Sequence, residues 1–495
     1  MKKILISAPK SGSGKTSFTI ALLKSLKERG IKTVSFKAGP DYIDPLFHKK
    51  ILGIPSYNLD TYFTEYDVTL SLFEKHSTGY DISVIEGAMG LFDGTGGMGD
   101  KGSAYDLARV TGSKIILVID AKGACRSLLP VISGFLSYDT EHLIYGIVLN
   151  RCTERVYYAL APEIEKLGVC ALGYMRDRKD VILSSRHLGL TTPEDLEGIN
   201  DIIKNLYEEF SSGVSLEKLL KSGDDDLKID VMTDELLSDD EKSCCVLNNS
   251  DIYSRSYDNE LTNIESGDNN TDIYSDHGNS VINESINIDC NCTIAVARDD
   301  AFCFIYEDNL DLLKKYGAKI IFFSPLSDDE IPSESDALYL PGGYPELHAA
   351  ALSENKSMLR SIKNAYDNSM PFFAECGGFM YLHRSLQTKD GDEYEMAGVI
   401  DSKCFYEGRL VRFGYVELKE NVSLFLSEGE SIKGHEFHYY ESEMTGDSCT
   451  AFKPSSATEY PCIITNSHAW MGFPHLYFPS NPSFAKSFVD MASKF

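Results

Sequence analysis

An apolar run, Ile4-Leu5-Ile6, leads directly into Ser7-Ala8-Pro9-Lys10-Ser11-Gly12-Ser13-Gly14-Lys15-Thr16, and an apolar-periodic segment follows from about Ser17. Strand, glycine-bearing turn and helix in that order restrict the N-terminal region to a nucleotide-binding α/β sheet. Gly12 and Gly14 let backbone N–H groups curl around an anion, and the helix N-terminus adds positive potential. Lys15 is then placed to reach terminal phosphates, and the Thr16 hydroxyl to ligate magnesium. The usual first glycine of the motif is replaced by Pro9. Lys10, five residues before Lys15, fits the variant K-x-G-x-G-K-T instead. A nucleotide with magnesium is the expected ligand; a lysine-rich turn that binds nothing is the alternative.

Two further loops belong beside this one. The strand Thr33-Val34-Ser35-Phe36 runs into Lys37-Ala38-Gly39-Pro40-Asp41-Tyr42-Ile43-Asp44-Pro45. Ligands of parallel sheets bind outside the carboxyl ends of strands, so this loop is expected to line a site rather than form a solvated turn. The strand Ile82-Ser83-Val84-Ile85 ends in Glu86-Gly87-Ala88-Met89-Gly90-Leu91-Phe92-Asp93-Gly94. A carboxylate ending a buried strand needs a cation or donors. Glu86 is therefore expected to hold the magnesium that Thr16 touches. Asp93 is expected at the same ion or at the acceptor substrate, and Asn150 either reads the nucleotide base or forms a turn.

At 495 residues the chain is too long for one core. With 43% hydrophobic and 25% charged residues it has the composition of an ordinary soluble protein. The twelve scattered cysteines lack zinc spacing and suggest reduced thiols. No membrane-length apolar run or leader is evident, so a cytoplasmic location is expected. The net charge of −28 argues against nucleic acid. Much of it is local: 18 acidic residues against 3 basic lie between Ser222 and Cys290. That segment has no apolar period and is expected to be a disordered linker. The expected domains are 1–215 for nucleotide binding, 216–291 for the acidic linker and 292–495 for a second α/β domain.

In the second domain a strand runs into Pro341-Gly342-Gly343-Tyr344-Pro345-Glu346-Leu347-His348. Another, Pro371-Phe372-Phe373-Ala374-Glu375, ends in Cys376-Gly377-Gly378 at the start of a helix. This is the strand-to-helix elbow of a nucleophile, with Cys where hydrolases place Ser. The helix N-terminus is expected to lower the thiol pKa. The base is one of His435, His438, His468 and His475, among which spacing does not choose.

Taken together, these motifs, with Arg186-His187-Leu188-Gly189-Leu190 and Gly434-His435-Glu436-Phe437-His438-Tyr439, resemble the cobyrinate a,c-diamide synthases. The resemblance covers both folded regions. It implies an α/β protein with an N-terminal P-loop doubly wound domain of the dethiobiotin-synthetase-like type and a C-terminal class I glutamine amidotransferase domain. It further implies ATP-dependent amidation of a corrinoid through an acyl phosphate. Cys376 would be the nucleophile, His475 its base, and the backbone N–H groups of Gly343 and Gly377 the oxyanion hole. Lys37 would join Gly12, Gly14, Lys15 and Thr16 at ATP. Thr16 and Glu86 would hold magnesium, and Asp41, Asp44 and Asp93 would face the acceptor. His475-Leu476-Tyr477 stands where members often have His-Leu-His, so no carboxylate is expected to orient the base. Another tetrapyrrole acceptor (hydrogenobyrinate or nickel-sirohydrochlorin) and, more distantly, a partition-type switch ATPase are the rival readings. The expected partners are small molecules, namely corrinoid, glutamine and ATP, with a homodimer as the assembly to test.

Overall fold

The computed structural model describes residues 1–178, 180, 193–221 and 291–495, without the side chains of 193–197. The Arg186–Leu190 motif and the acidic stretch 222–290 lie outside the described residues. The described residues of the two halves form one compact unit.

The N-terminal half is built on seven strands: β1 (Lys2–Ser7), β2 (Thr33–Ala38), β3 (Ser56–Leu59), β4 (Ile82–Glu86), β5 (Lys114–Asp120), β6 (Ile144–Asn150) and β7 (Cys170–Met175). Their order is β3-β2-β4-β1-β5-β6-β7, and every pairing is parallel. The strands are near-continuous apolar runs because helices cover both faces. α1 (Lys15–Glu28) buries Phe18, Leu22 and Leu26 and then meets Gly30, which takes a left-handed φ. The helix Pro193–Gly213 lies against α1, with Phe18 and Phe210 ring centroids 5.5 Å apart. A short helix, Leu216–Leu220, buries Leu216 and Leu219 in the same core. Leu216 and Leu219 thus pack with the nucleotide half. Apolar positions in so short a segment carry too little periodic signal to mark a helix.

In the second half, β8 (Cys292–Ala297), β9 (Phe302–Phe304), β10 (Ala318–Phe323), β11 (Ala337–Leu340), β12 (Gly342–Gly343) and β13 (Phe372–Glu375) come first. The central sheet runs β10-β8-β11-β13 and continues through the strands Ala469–Gly472 and Ile464–Asn466. An antiparallel sheet carries the strands Arg412–Glu420 and Ile432–His438, with the two-residue strand His475–Leu476 on its edge. Parallel sheets place the carboxyl ends of their strands at one edge, and both sets of sequence motifs sit there. Among the described residues no helix is long and apolar enough to cross a membrane.

Candidate active sites

Strand order, more than any single residue, assembles the nucleotide site. β2, β4 and β1 are neighbours, with Lys37 in register with Glu86 and Ile6 in register with Glu86. The phosphate loop after β1, the acidic end of β4 and the lysine of β2 thus meet at one edge. Gly14 caps α1 with φ 96°, and a Cβ there would lie 2.0 Å from the Asn150 side-chain nitrogen. Only glycine fits. The Asn150 amide donates to the Ser13 carbonyl at 2.9 Å, so in this structure it braces the phosphate loop.

The Thr16 hydroxyl donates to Glu86 Oε1 at 2.6 Å. Lys37 Nζ lies 3.0 Å from the same oxygen, 3.6 Å from Asp41 and in a short contact with Asp44. Burial alone would lower the Lys37 pKa, but Asp44 and Glu86 hold its ammonium well above its ordinary value. Burial and then the neighbouring Asp44 push the Glu86 carboxyl up to about 7. Asp41 is raised by burial and by Asp44, while its Oδ1 accepts from the Ile43 backbone N–H at 2.9 Å. Desolvation opposes ionisation of Asp44, yet Lys37 keeps its carboxyl below the usual value. The loop after β2 is therefore a buried charge cluster rather than a solvated turn. Removing one member would strand the others, at a cost of about 3–5 kcal/mol. Lys15 donates to the Met89 carbonyl, and burial followed by repulsion from Lys37 lowers its pKa. Asp93 Oδ2 accepts from the Gly90 N–H at 2.9 Å and closes the turn behind Met89.

One oxygen of this cluster is unused: Glu86 Oε2 is buried without a hydrogen-bond partner. Beside the Thr16 hydroxyl it offers the hard oxygen donors that magnesium prefers. The residues present fit that ion.

The second site forms around β12. Cys376 follows β13 with φ 44° and ψ −102°, the strained backbone of an elbow. Its N–H donates to the Gly472 carbonyl at 2.8 Å. A Cβ on Gly377 would approach the Gly343 nitrogen to 2.9 Å, so these two backbones adjoin. A Cβ on Gly342 would lie 2.2 Å from His475 Cε1. The consecutive glycines of β12 thus hold the cysteine elbow against one residue and His475 against the other. Glu375 reinforces the arrangement, because its Oε1 accepts from the Leu476 N–H at 2.6 Å and its Oε2 from the Tyr339 hydroxyl at 2.9 Å.

The four histidines now separate. His468 precedes the strand Ala469–Gly472, and its carbonyl accepts from the Phe372 N–H at the opposite end of the sheet from Cys376. His438 stacks on Phe473 at 4.1 Å and bonds the Tyr440 carbonyl at 2.7 Å. His435 lies opposite His475 on the adjoining strand, with the rings stacked at 4.9 Å. Burial lowers His435 to about 3. Burial, His435 and His438 lower His475 well below its ordinary value, leaving a neutral imidazole. The His475 Nδ1 has no hydrogen-bond partner, so flanking rings orient it.

The expectation of a lowered thiol pKa is overturned. Burial, then Glu346 and Glu375, push the Cys376 thiol up. The helix behind it, Gly377–Tyr381, has five residues and supplies little macrodipole. Cys376 and His475 therefore rest as a neutral thiol and a neutral imidazole.

The two sites touch. Tyr42, between Asp41 and Asp44, stacks on Phe304 at 5.0 Å and lies 4.5 Å from Tyr306 and 5.3 Å from His475. The Tyr415 hydroxyl donates to Asp60 at 2.7 Å, Lys433 to the Tyr62 carbonyl at 2.9 Å, and His76 pairs with Asp308 at 2.6 Å. These contacts all cross between the halves.

Residues 4–190 match the CobQ/CobB/MinD/ParA nucleotide binding domain, and residues 293–478 match the CobB/CobQ-like glutamine amidotransferase domain. A protein of Listeria innocua named cobyrinate a,c-diamide synthase is 35% identical over 491 residues, 98% of each chain. One of Picrophilus torridus with the same name is 34% identical over 99% of this chain and 98% of its own. The chain belongs to the cobyrinate a,c-diamide synthase family. Like other members of this synthase family, it is a glutamine-dependent amidating ligase with a nucleotide-binding domain ahead of the amidotransferase domain.

Several residues of the synthase site carry no sequence signal of their own role. Gly342 and Glu375 sit inside motifs read for their neighbours, and Tyr42 meets His475 across more than four hundred residues. Glu346 is one turn beyond Gly343, and burial pushes its own carboxyl up to about 7. After burial, it is the strongest influence raising the Cys376 thiol. Glu346→Gln removes a negative charge beside the nascent thiolate. The rising limb of kcat/KM for glutamine against pH is expected to move to lower pH, most visibly above pH 7, where Glu346 ionises. An unmoved profile would contradict this placement.

Proposed function

We propose that this chain amidates the a- and c-side-chain carboxylates of cobyrinate with ammonia from glutamine, at the expense of ATP. The observation that carries the reading is Tyr42. It belongs to the acceptor loop of the nucleotide half and is in ring contact with His475 of the glutaminase half.

In this mechanism Gly12, Gly14, Lys15 and Thr16 cradle the ATP phosphates, and Thr16 and Glu86 hold magnesium. Bound there, magnesium offsets charge on the phosphate oxygens. Lys15 stabilises charge on the transferring phosphoryl group as the acceptor carboxylate becomes an acyl phosphate. Lys37 holds Asp41, Asp44 and Glu86 in one cluster and supplies positive charge at the same edge. Asp41, Asp44 and Asp93 face the acceptor. In the other half Cys376 gives its proton to His475 and attacks the glutamine amide. The Gly343 and Gly377 N–H groups receive the oxyanion, and His475 returns the proton to the departing ammonia. Neutral partners suit this sequence, since thiolate forms only with substrate in place. The apolar and aromatic contact around Tyr42 lies between the two chemistries, and such surroundings favour the neutral form of released ammonia.

Oxygen-18 in the cobyrinate carboxyl groups tests the intermediate. Label is expected in inorganic phosphate after turnover, because collapse of an acyl phosphate leaves one carboxyl oxygen on phosphorus. Unlabelled phosphate would rule that intermediate out.

A further inference from the structure

The strands Arg412–Glu420 and Ile432–His438 pair antiparallel, so residues opposite each other point to the same face. Val416, Leu418 and Ile432 on one face enter the core of the amidotransferase half. The other face carries Glu417 opposite Lys433, Tyr415 opposite His435, and Phe413 opposite Phe437. Its first two pairs cover the nucleotide half: Lys433 reaches the Tyr62 carbonyl, and the Tyr415 hydroxyl reaches Asp60. The third pair continues the face into solvent. Phe413 is 59% exposed, Phe437 50% and the adjoining Tyr439 41%. Their rings pack edge to face, 5.7 Å apart for Phe413 and Phe437 and 5.8 Å for Phe437 and Tyr439.

This ledge adjoins the acceptor loops. A Cβ on Gly39, at the head of the Lys37–Asp44 cluster, would lie 3.8 Å from the Tyr415 hydroxyl. On the strand, Phe413 is two residues from Tyr415, a step of about 7 Å. A Cβ on Gly96, three residues past Asp93, would lie 3.8 Å from the Ser455 backbone, in the turn after the strand Cys449–Lys453 of the same sheet. Arg409, on the turn before the strand Arg412–Glu420, lies 3.6 Å from Glu407. The cavity between the halves, about 250 Å³ beside Tyr42 and Lys49, falls below the roughly 300 Å³ that drug-sized ligands need. A tetrapyrrole is larger still, and the ledge offers it an open surface near the acceptor loops.

We propose that Phe413, Phe437 and Tyr439 form the apolar platform against which the acceptor tetrapyrrole packs. The proposal depends on the tetrapyrrole reading above and gives the amidotransferase half a share in acceptor recognition. Clustered aromatic rings suit a broad conjugated ligand, because each adds contact area at little entropic cost.

The test uses the full-length protein with cobyrinate, ATP and glutamine. Phe413→Ala with Phe437→Ala is expected to raise KM for cobyrinate roughly tenfold or more. KM for ATP and for glutamine should stay within about twofold of wild type, and the paired tyrosine variants should restore the cobyrinate KM. Equal change in all three KM values, or an unchanged cobyrinate KM, overturns the platform. So does an unchanged KM accompanied by loss of a dimer in light scattering, which would assign the face to a second copy. If wild type neither amidates nor binds any tetrapyrrole tested, the functional reading itself falls and the platform with it.

Discussion

Cys376→Ser is expected to end glutamine-dependent amidation and leave ammonium-dependent amidation standing. The elbow backbone is fixed by β13, by the bond from Cys376 N–H to the Gly472 carbonyl, and by the close approach of Gly377 to Gly343. Serine fits that space. What it lacks is a group that the neutral His475 can deprotonate in a site where burial and two carboxylates already oppose the anion. The loss is expected to reach about 10³-fold or more in kcat for glutamine hydrolysis. With added ammonium chloride at high pH, synthesis should remain within a few-fold of wild type, because the nucleotide half is untouched. His475→Ala should follow the same pattern more mildly. Loss of both activities in the serine variant would make Cys376 a structural residue.

Lys15→Ala should give the opposite separation. Amidation is expected to fall by about 10²–10³-fold with glutamine and with ammonium alike, since Lys15 is the cation placed for the transferring phosphoryl group. In the resting structure its ammonium is held by the Met89 carbonyl; burial and Lys37 lower its pKa, and Glu86, Asp93 and Asp44 only partly oppose them. Lys37 cannot substitute, because three carboxylates already engage it. Glutaminase activity should survive, read as glutamate release without ATP. Undiminished amidation in this variant would remove the phosphate-loop assignment.

The phosphate loop, the acidic end of β4 and the cysteine elbow were legible in sequence because each is a short motif at a strand end. Their partners were not. Lys37 reads as a phosphate ligand in one dimension, and only the β2–β4 pairing shows it spanning Asp44 and Glu86. His435 and His475 face each other across one strand pair, so spacing alone could not rank them. His468 fell away once it was placed at the far end of its strand. The thiol departs from the expectation because a strand-to-helix turn promises a helix dipole. Here the helix is short, and acidic Glu346 and Glu375 flank the sulfur. Tyr42 stood within a motif read for its aspartates, and its role emerges only where the two halves pack.

The most direct measurement is mass spectrometry of cobyrinate incubated with the full chain, ATP, magnesium and glutamine labelled with nitrogen-15 at the side-chain amide. A product with two carboxyl groups converted to amides, both nitrogens labelled, and ADP and phosphate formed alongside is the expected result. Unchanged cobyrinate, with label released only as ammonia or delivered to hydrogenobyrinate or nickel-sirohydrochlorin instead, would contradict the proposed function.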